Sequence, residues 1–272
     1  MISRLGLIAL FVCWLASMAW LGWHDVWPAW TAVDAPRLDG GDWLTEETMQ
    51  TQLRIVDQVK QRVGTVWTQY SENKARISRK DTVWIEGIGP VPALRIEIDS
   101  DFTKEGYLDE IRMELFGAGE KFQLLAERYS GHLAFKMDLG KRTQYFKVDA
   151  ADVGTVDSMF RPFATLPRLE VGQSWRTHVF NPLAALTGVG SKLIPMLVNV
   201  TGWESIQTDE GEVKCFVIEA GKARAWVKTN GVVVRQEVTL PIGGTLYIEA
   251  EPFDAGRLDR IRAIDLPSGD EE

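Results

Sequence analysis

Two cysteines and three histidines are the residues of this 272-residue chain best suited to soft nucleophilic or metal chemistry, and none stands where that chemistry would need it. Metal centres draw ligands from short spacings that bring two donors to one face. His24, His132 and His178 form no His-x-x-x-His pair, and the cysteines form no Cys-x-x-Cys. No metal or other cofactor is expected. Cys13 lies inside an apolar N-terminal run. Cys215 sits in Val213-Lys214-Cys215-Phe216-Val217-Ile218, where strand alternation turns its thiol to the side of Val213 and Val217. A free cysteine so placed is a small buried hydrophobe rather than a nucleophile. His178, between Thr177 and Val179, has no visible acid–base partner.

The backbone signatures of catalysis are missing as well. There is no Gly-x-Ser-x-Gly elbow and no phosphate-binding glycine loop. Gly117-Ala118-Gly119 lacks the third glycine and the helix that a dinucleotide site needs, and it reads as a hairpin turn. No catalytic residue is assigned, and a non-enzymatic protein is expected. Thirty Lys and Arg against 38 Asp and Glu give a net charge of −8, a balance that repels phosphate backbones, so nucleic acid is not an expected partner.

The elements that would position any site begin with an unbroken run of 19 non-ionisable residues, Leu5 to Trp23, preceded by Arg4. A helix of that length reaches about 28 Å, close to the hydrocarbon thickness of a bilayer. Trp20, Trp23, Trp27 and Trp30 gather where such a helix would leave the membrane, and no Lys or Arg follows until Arg37. The positive-inside bias then puts the N-terminus in the cytoplasm and the rest outside. A signal peptide cleaved after Ser17-Met18-Ala19 is the alternative. The chain divides into a cytoplasmic tip (1–4), a signal-anchor transmembrane helix (5–23), a linker (24–42), a β-rich extracytoplasmic, periplasmic domain (43–260) and a flexible tail (261–272).

Within that domain apolar residues recur at a period of two. Leu94, Ile96 and Ile98 alternate with charged residues, as do Ile111, Met113 and Leu115; Leu133, Phe135, Met137 and Leu139 alternate with Ala134, Lys136 and Asp138, and Val232, Val234, Gln236, Val238 and Leu240 with Val233, Arg235, Glu237 and Thr239. This is the pattern of half-buried antiparallel strands. Turn dipeptides separate the runs, with Asn230-Gly231 the strongest type I′ signal. About a dozen strands are expected between 53 and 250, with helix only at Trp43–Gln50, Ala150–Phe160 and Pro182–Leu193. The fold class is mainly β, a long antiparallel meander with a few short helices and one N-terminal transmembrane helix.

From Phe180 to Met196 the rhythm breaks into an apolar, Gly- and Pro-punctuated crossover. It reads either as core packing or as a lid over a hydrophobic groove. If a ligand is held, its lining would be Met113, Leu115, Phe135, Met137 and Phe146 on the sheet, with Leu183, Leu186 and Ile194 above.

Several strand and turn residues carry a resemblance: Leu169-Glu170-Val171-Gly172-Gln173-Ser174-Trp175, Phe180-Asn181-Pro182, Val200-Thr201-Gly202-Trp203-Glu204, Gly211 to Cys215, Ala225-Trp226-Val227, and Gly231 to Glu237. Residues 166–250 resemble the superfamily of outer-membrane lipoprotein carrier and receptor proteins and related envelope domains. The resemblance implies an open β half-barrel, a curved sheet with helices over its concave face, and acyl chains or other hydrophobic ligands as the cargo class. No ligand-contact motif of that family maps onto this chain. Two functions follow as expectations: an anchored module binding a lipid or other hydrophobic ligand, or a structural accessory docking on an envelope transport or export protein.

Overall fold

In the computed structural model the described residues are 4–21, 36, 44–73, 75–86, 93–117, 120–138, 142–149, 156–158, 163, 165–166, 168–180, 193–208, 211–239 and 244–264. Helix α1 (Arg4–Leu21) comes first, with 18 residues and one charge. Its side chains are described from Phe11 to Trp20, and all of them are exposed. Among the described residues no helix is long and apolar enough to cross a membrane.

A four-residue helix, α2 (Glu46–Met49), leads into fifteen strands. The first eight are β1 (Gln50–Val56), β2 (Arg62–Glu72), β3 (Arg76–Ile85), β4 (Leu94–Thr103), β5 (Leu108–Gly117), β6 (Glu120–Tyr129), β7 (His132–Asp138) and β8 (Thr143–Asp149). The others are β9 (Val156–Ser158), β10 (Ser174–Phe180), β11 (Leu193–Thr208), β12 (Gly211–Ala220), β13 (Ala223–Val227), β14 (Val233–Thr239) and β15 (Thr245–Glu251). A helix, α3 (Ala255–Arg262), follows. All strands belong to one sheet, in the order β8 through β1, then β15 down to β9. Every neighbouring pair is antiparallel except β9 with β10. The meander expected from the alternation is present, with three more strands than the dozen read from it.

The order of the strands dictates a curve. Strands β8 and β9 occupy opposite ends of the sheet yet follow one another in the chain. From Asp149 to Val156 the backbone can span at most about 25 Å. A flat sheet of fifteen strands at about 4.8 Å spacing would be roughly 67 Å wide. The sheet must therefore curl until its two ends lie within reach of that connection, which gives it an inner and an outer face. The curl explains how one continuous apolar cluster extends over β1–β7 and β10–β15. Register aligns its rows: Val200, Ile218, Ala225, Gln236, Ile248 and Ile55 follow one another across six strands of the inner face. Gln236 is fully buried in this row. Its amide donates to the Phe163 carbonyl and accepts from the Phe163 amide, at 2.9 and 3.3 Å, pinning the segment that brings Phe163, Leu166 and Leu169 into the core.

Several local expectations change. The helical window 43–50 shrinks to α2 because Gln50 already pairs with Gln69. The window 150–160 contains strand β9, and residues 182–192 of the third window lie outside the described residues, with Leu193 opening β11. The alternation from Val232 is interrupted: Val233 pairs with Val227 and Arg235 with Trp226, leaving Val234 as an extra residue. Val232 and Val234 consequently join an outer-face cluster, while Val233 and Val238 belong to the inner core. Asn230-Gly231 is not a type I′ turn. Gly231 alone has positive φ (87°), and its amide donates to the Lys228 carbonyl, which makes a three-residue loop, a turn over Lys228–Gly231 closed by a glycine bulge. Ser130-Gly131, with φ of 47° and 81°, supplies the type I′ signature instead.

α3 lies on the outer face, where Leu258 and Ile261 meet Trp67 of β2 and Trp84 of β3. Packing continues to Ile264, into the stretch assigned to the tail. Asp254 caps the helix start by accepting from the Arg257 amide at 2.8 Å. At its other end Arg95 of β4 donates to the carbonyls of Ile261, Arg262 and Ile264, at 3.1, 3.2 and 2.6 Å. One guanidinium thereby satisfies carbonyls that have no partner inside a helix.

Candidate functional site

The residues expected to line a ligand site fall in three groups. Met113, Leu115, Phe135 and Met137 are each at most 2% exposed and share the inner face. Met113 and Met137 flank Leu124 in one cross-strand row, and Phe135 stacks on half-buried Phe146 at 4.8 Å and 3°. These five belong to a single apolar surface over β5, β7 and β8. Ile194 is on β11, opposite Val179, and half-buried. Leu183 and Leu186 lie outside the described residues.

The same rows carry a group that the alternation did not reveal. Arg79 is aligned with Ser100, Ile111, Ala126 and Phe135, and Asp81 with Ile98, Met113, Leu124 and Met137. Arg79 and Asp81 form an ion pair, Nε to Oδ2 at 2.8 Å, with side chains 0% and 2% exposed. Thr68 donates to the other oxygen of Asp81. The Ser100 hydroxyl is buried beside them with no hydrogen-bond partner among the described residues. Removing two charges from water costs several kcal/mol each, so the pair persists only because each charge meets its counterpart at contact distance.

An open concavity exists on the other face. A groove of about 500 Å³ runs between β1, β14 and β15 on one side and the end of β11 on the other. Register builds its floor: Glu249 is opposite both Arg54 and Arg235. Arg54 donates twice to Glu249, at 2.9 and 3.1 Å. Arg62 and Gln52 both donate to Glu251. At one end Lys228 and Asn230 hold the two oxygens of Glu47, at 2.7 and 3.0 Å. Arg235 lies between the rings of Trp226 and Tyr247, 5.3 and 5.9 Å from their centroids.

Apolar side chains line the groove from both sides: Ile206 at the end of β11, beside Gln207 and Thr208, and Val232 and Val234 at the start of β14, all three in the outer cluster that includes Cys215, Val217 and Trp226. Cys215 is fully buried there, as its alternation implied, and burial pushes its thiol pKa up despite the nearby Lys228 charge. The sequence hid this groove because its residues come from 47–54, 206–208, 228–235 and 249–253, which only the pairing of first strand with last brings together. Among the described residues no three His, Cys, Asp or Glu side chains are grouped to hold a metal ion.

Comparison with known proteins assigns the chain no family. No family model matches the chain, and no curated protein matches it. One solved structure, a DUF1089 family protein from Pseudomonas aeruginosa, aligns over 62% of this chain and 87% of its own length. The identity is 12% and the TM-score 0.38, too loose for the likeness to carry any argument about kinship or activity.

Proposed function

We propose that this chain is a membrane-tethered, extracytoplasmic, non-enzymatic domain that holds a lipid or other hydrophobic ligand in the interior of its curled sheet. The observation that carries the reading is the contiguous apolar surface of Met113, Leu115, Phe135, Met137 and Phe146 on the inner face. The curl turns this face inward, and two methionines give it the soft, adaptable surface that suits variable chains. The resemblance of residues 166–250 to lipoprotein carriers supports the same cargo class. The apolar run from Leu5 to Trp23 behind Arg4 supports a retained anchor with the sheet outside. Native mass spectrometry of the full chain extracted in mild detergent should find bound lipid. A delipidated protein that binds no fluorescent fatty acid and carries no lipid from cells ends the reading.

One observation favours a second reading. Strand β8 ends the sheet with no further strand beside it among the described residues, and Tyr145 on it is 74% exposed. Such an edge can accept a strand from another envelope protein of a transport or export assembly. Co-purification of a stoichiometric protein, lost on substituting Lys147 by Pro, is the expected outcome of that arrangement.

A further inference from the structure

We infer that the segment bearing Phe163, Leu166 and Leu169 is a releasable strap, latched by Gln236, that a ligand must lift to enter the curled sheet. This deepens the carrier reading, as the regulation of that same interior, and rests on it.

The interior is closed as it stands. Met113, Leu115 and Met137 are at most 1% exposed, so a ligand reaches them only if something now inside moves. Among the described residues, every buried member of the interior cluster but three is on a strand of the sheet. The three are Phe163, Leu166 and Leu169, between β9 and β10. A strand leaves a sheet only by breaking a whole ladder of hydrogen bonds, whereas a segment laid across the face has fewer ties to lose. Among the described residues, the main-chain ties of Phe163 and Leu166 are to Gln236 and Gly231. Gln236 meets both polar groups of Phe163, at 2.9 and 3.3 Å, and the Leu166 amide donates to the Gly231 carbonyl at 2.9 Å.

The latch works against a strain. Arg168 has a φ of 56°, a left-handed conformation that disfavours any residue but glycine and persists only where the surroundings impose it. It stands between Leu166 and Leu169, both buried, so the strained backbone is the cost of seating both in the core. Gln236 is the one polar residue in its row, beside Ala225 and Ile248, and its amide is what holds the seated arrangement. A latch and a strain of opposite sign give a segment with two arrangements, seated and released. Where only the released arrangement admits ligand, the apparent dissociation constant is the intrinsic one divided by the released fraction. Both the latch and the strain then show directly in ligand uptake.

The test uses the full chain in phosphatidylcholine nanodiscs and a dodecanoate probe with a photoactivatable diazirine in its chain. Amide exchange is followed on the same protein without probe. Gln236→Leu keeps the apolar row filled but leaves the Phe163 amide and carbonyl without that partner. It should speed exchange in residues 163–173. It should also lower the probe concentration that half-saturates labelling of residues 111–137, on the order of ten-fold for two lost hydrogen bonds. Arg168→Gly relieves the strain and touches neither latch nor sheet. It should slow the same exchange and raise that concentration by about three-fold. Faster exchange in Gln236→Leu without tighter labelling, or labelling that shifts the same way in both variants, overturns the inference and leaves the carrier reading intact. If Gln236→Leu loses protection throughout the sheet, Arg168→Gly decides alone, and an unchanged half-saturation overturns the strap. No labelling of residues 111–137 in any of the three proteins ends both.

Discussion

Trp67 and Trp84 on one half of the sheet, and Cys215, Val217 and Trp226 on the other, form two apolar patches on the same outer face, completed in different ways. The first is covered by α3, whose Leu258 and Ile261 fill it and whose last carbonyls are taken by Arg95. The second has no helix among the described residues. The arm of β11 and β12 supplies Ile206 and Val213 at its margin, and beyond them the surface opens into the charged groove. An apolar patch finished by its own chain is an item of stability. A patch left against an open groove is one that the described part of the chain leaves unfinished.

Substitutions should separate the two patches by the size of their effect. Leu258→Ala removes a side chain 2% exposed from beneath α3 and should destabilise the protein by about 2–5 kcal/mol, read as a lowered denaturant midpoint with an unchanged slope. A change within 0.5 kcal/mol would mean that α3 is not part of the cooperative fold. Arg95→Ala leaves three helix-end carbonyls without that donor and should cost about 1–3 kcal/mol, with amide exchange accelerating first in residues 258–264. Across the face, Ile206→Ala trims a half-buried wall of the groove and should cost less than about 1 kcal/mol in the same measurement. A loss as large as that of Leu258→Ala would make the second patch a finished core like the first.

The smallest effect concerns pH. Burial raises the Cys215 thiol pKa in the folded protein, so the folded state holds its proton to higher pH than the unfolded chain does. This contribution is intact below the unfolded thiol value, about 8.5, and shrinks as pH rises from there toward the folded value. Cys215→Ala should lose less stability between pH 8 and 10 than the natural chain. Thiol reagents should label Cys215 slowly at neutral pH without denaturant, and fast labelling would mean that the second patch opens on its own.

The strands were legible because the inner face is apolar over most of its rows, so that Leu94, Ile96 and Ile98 announce themselves by period alone. Strand β3 was not, since Arg79 and Asp81 stand at inward positions and Lys80 at an outward one; charge at both parities erases the signal. α3 escaped for a different reason. Eight residues with Leu258 and Ile261 as the buried positions are a weak helical pattern, though Asp254 at its start offered a capping signal. The groove could not be read at all, because its floor depends on which strand β1 chooses as its second neighbour, a matter of long-range register on which local periodicity is silent.

That choice also sets a schedule. β1 pairs with β15, joining Gln52 to Glu251 across 199 residues, while nearly every other strand finds its partner in the next hairpin. During synthesis β1 through β8 can zip together as they emerge, but one flank of β1 stays bare until almost the entire chain has been made. Loop closure over such a distance is the slow step of a largely local fold. For a protein that emerges N-terminus first, the interval before the last strand arrives is when the exposed flank of β1 is most open to a wrong partner.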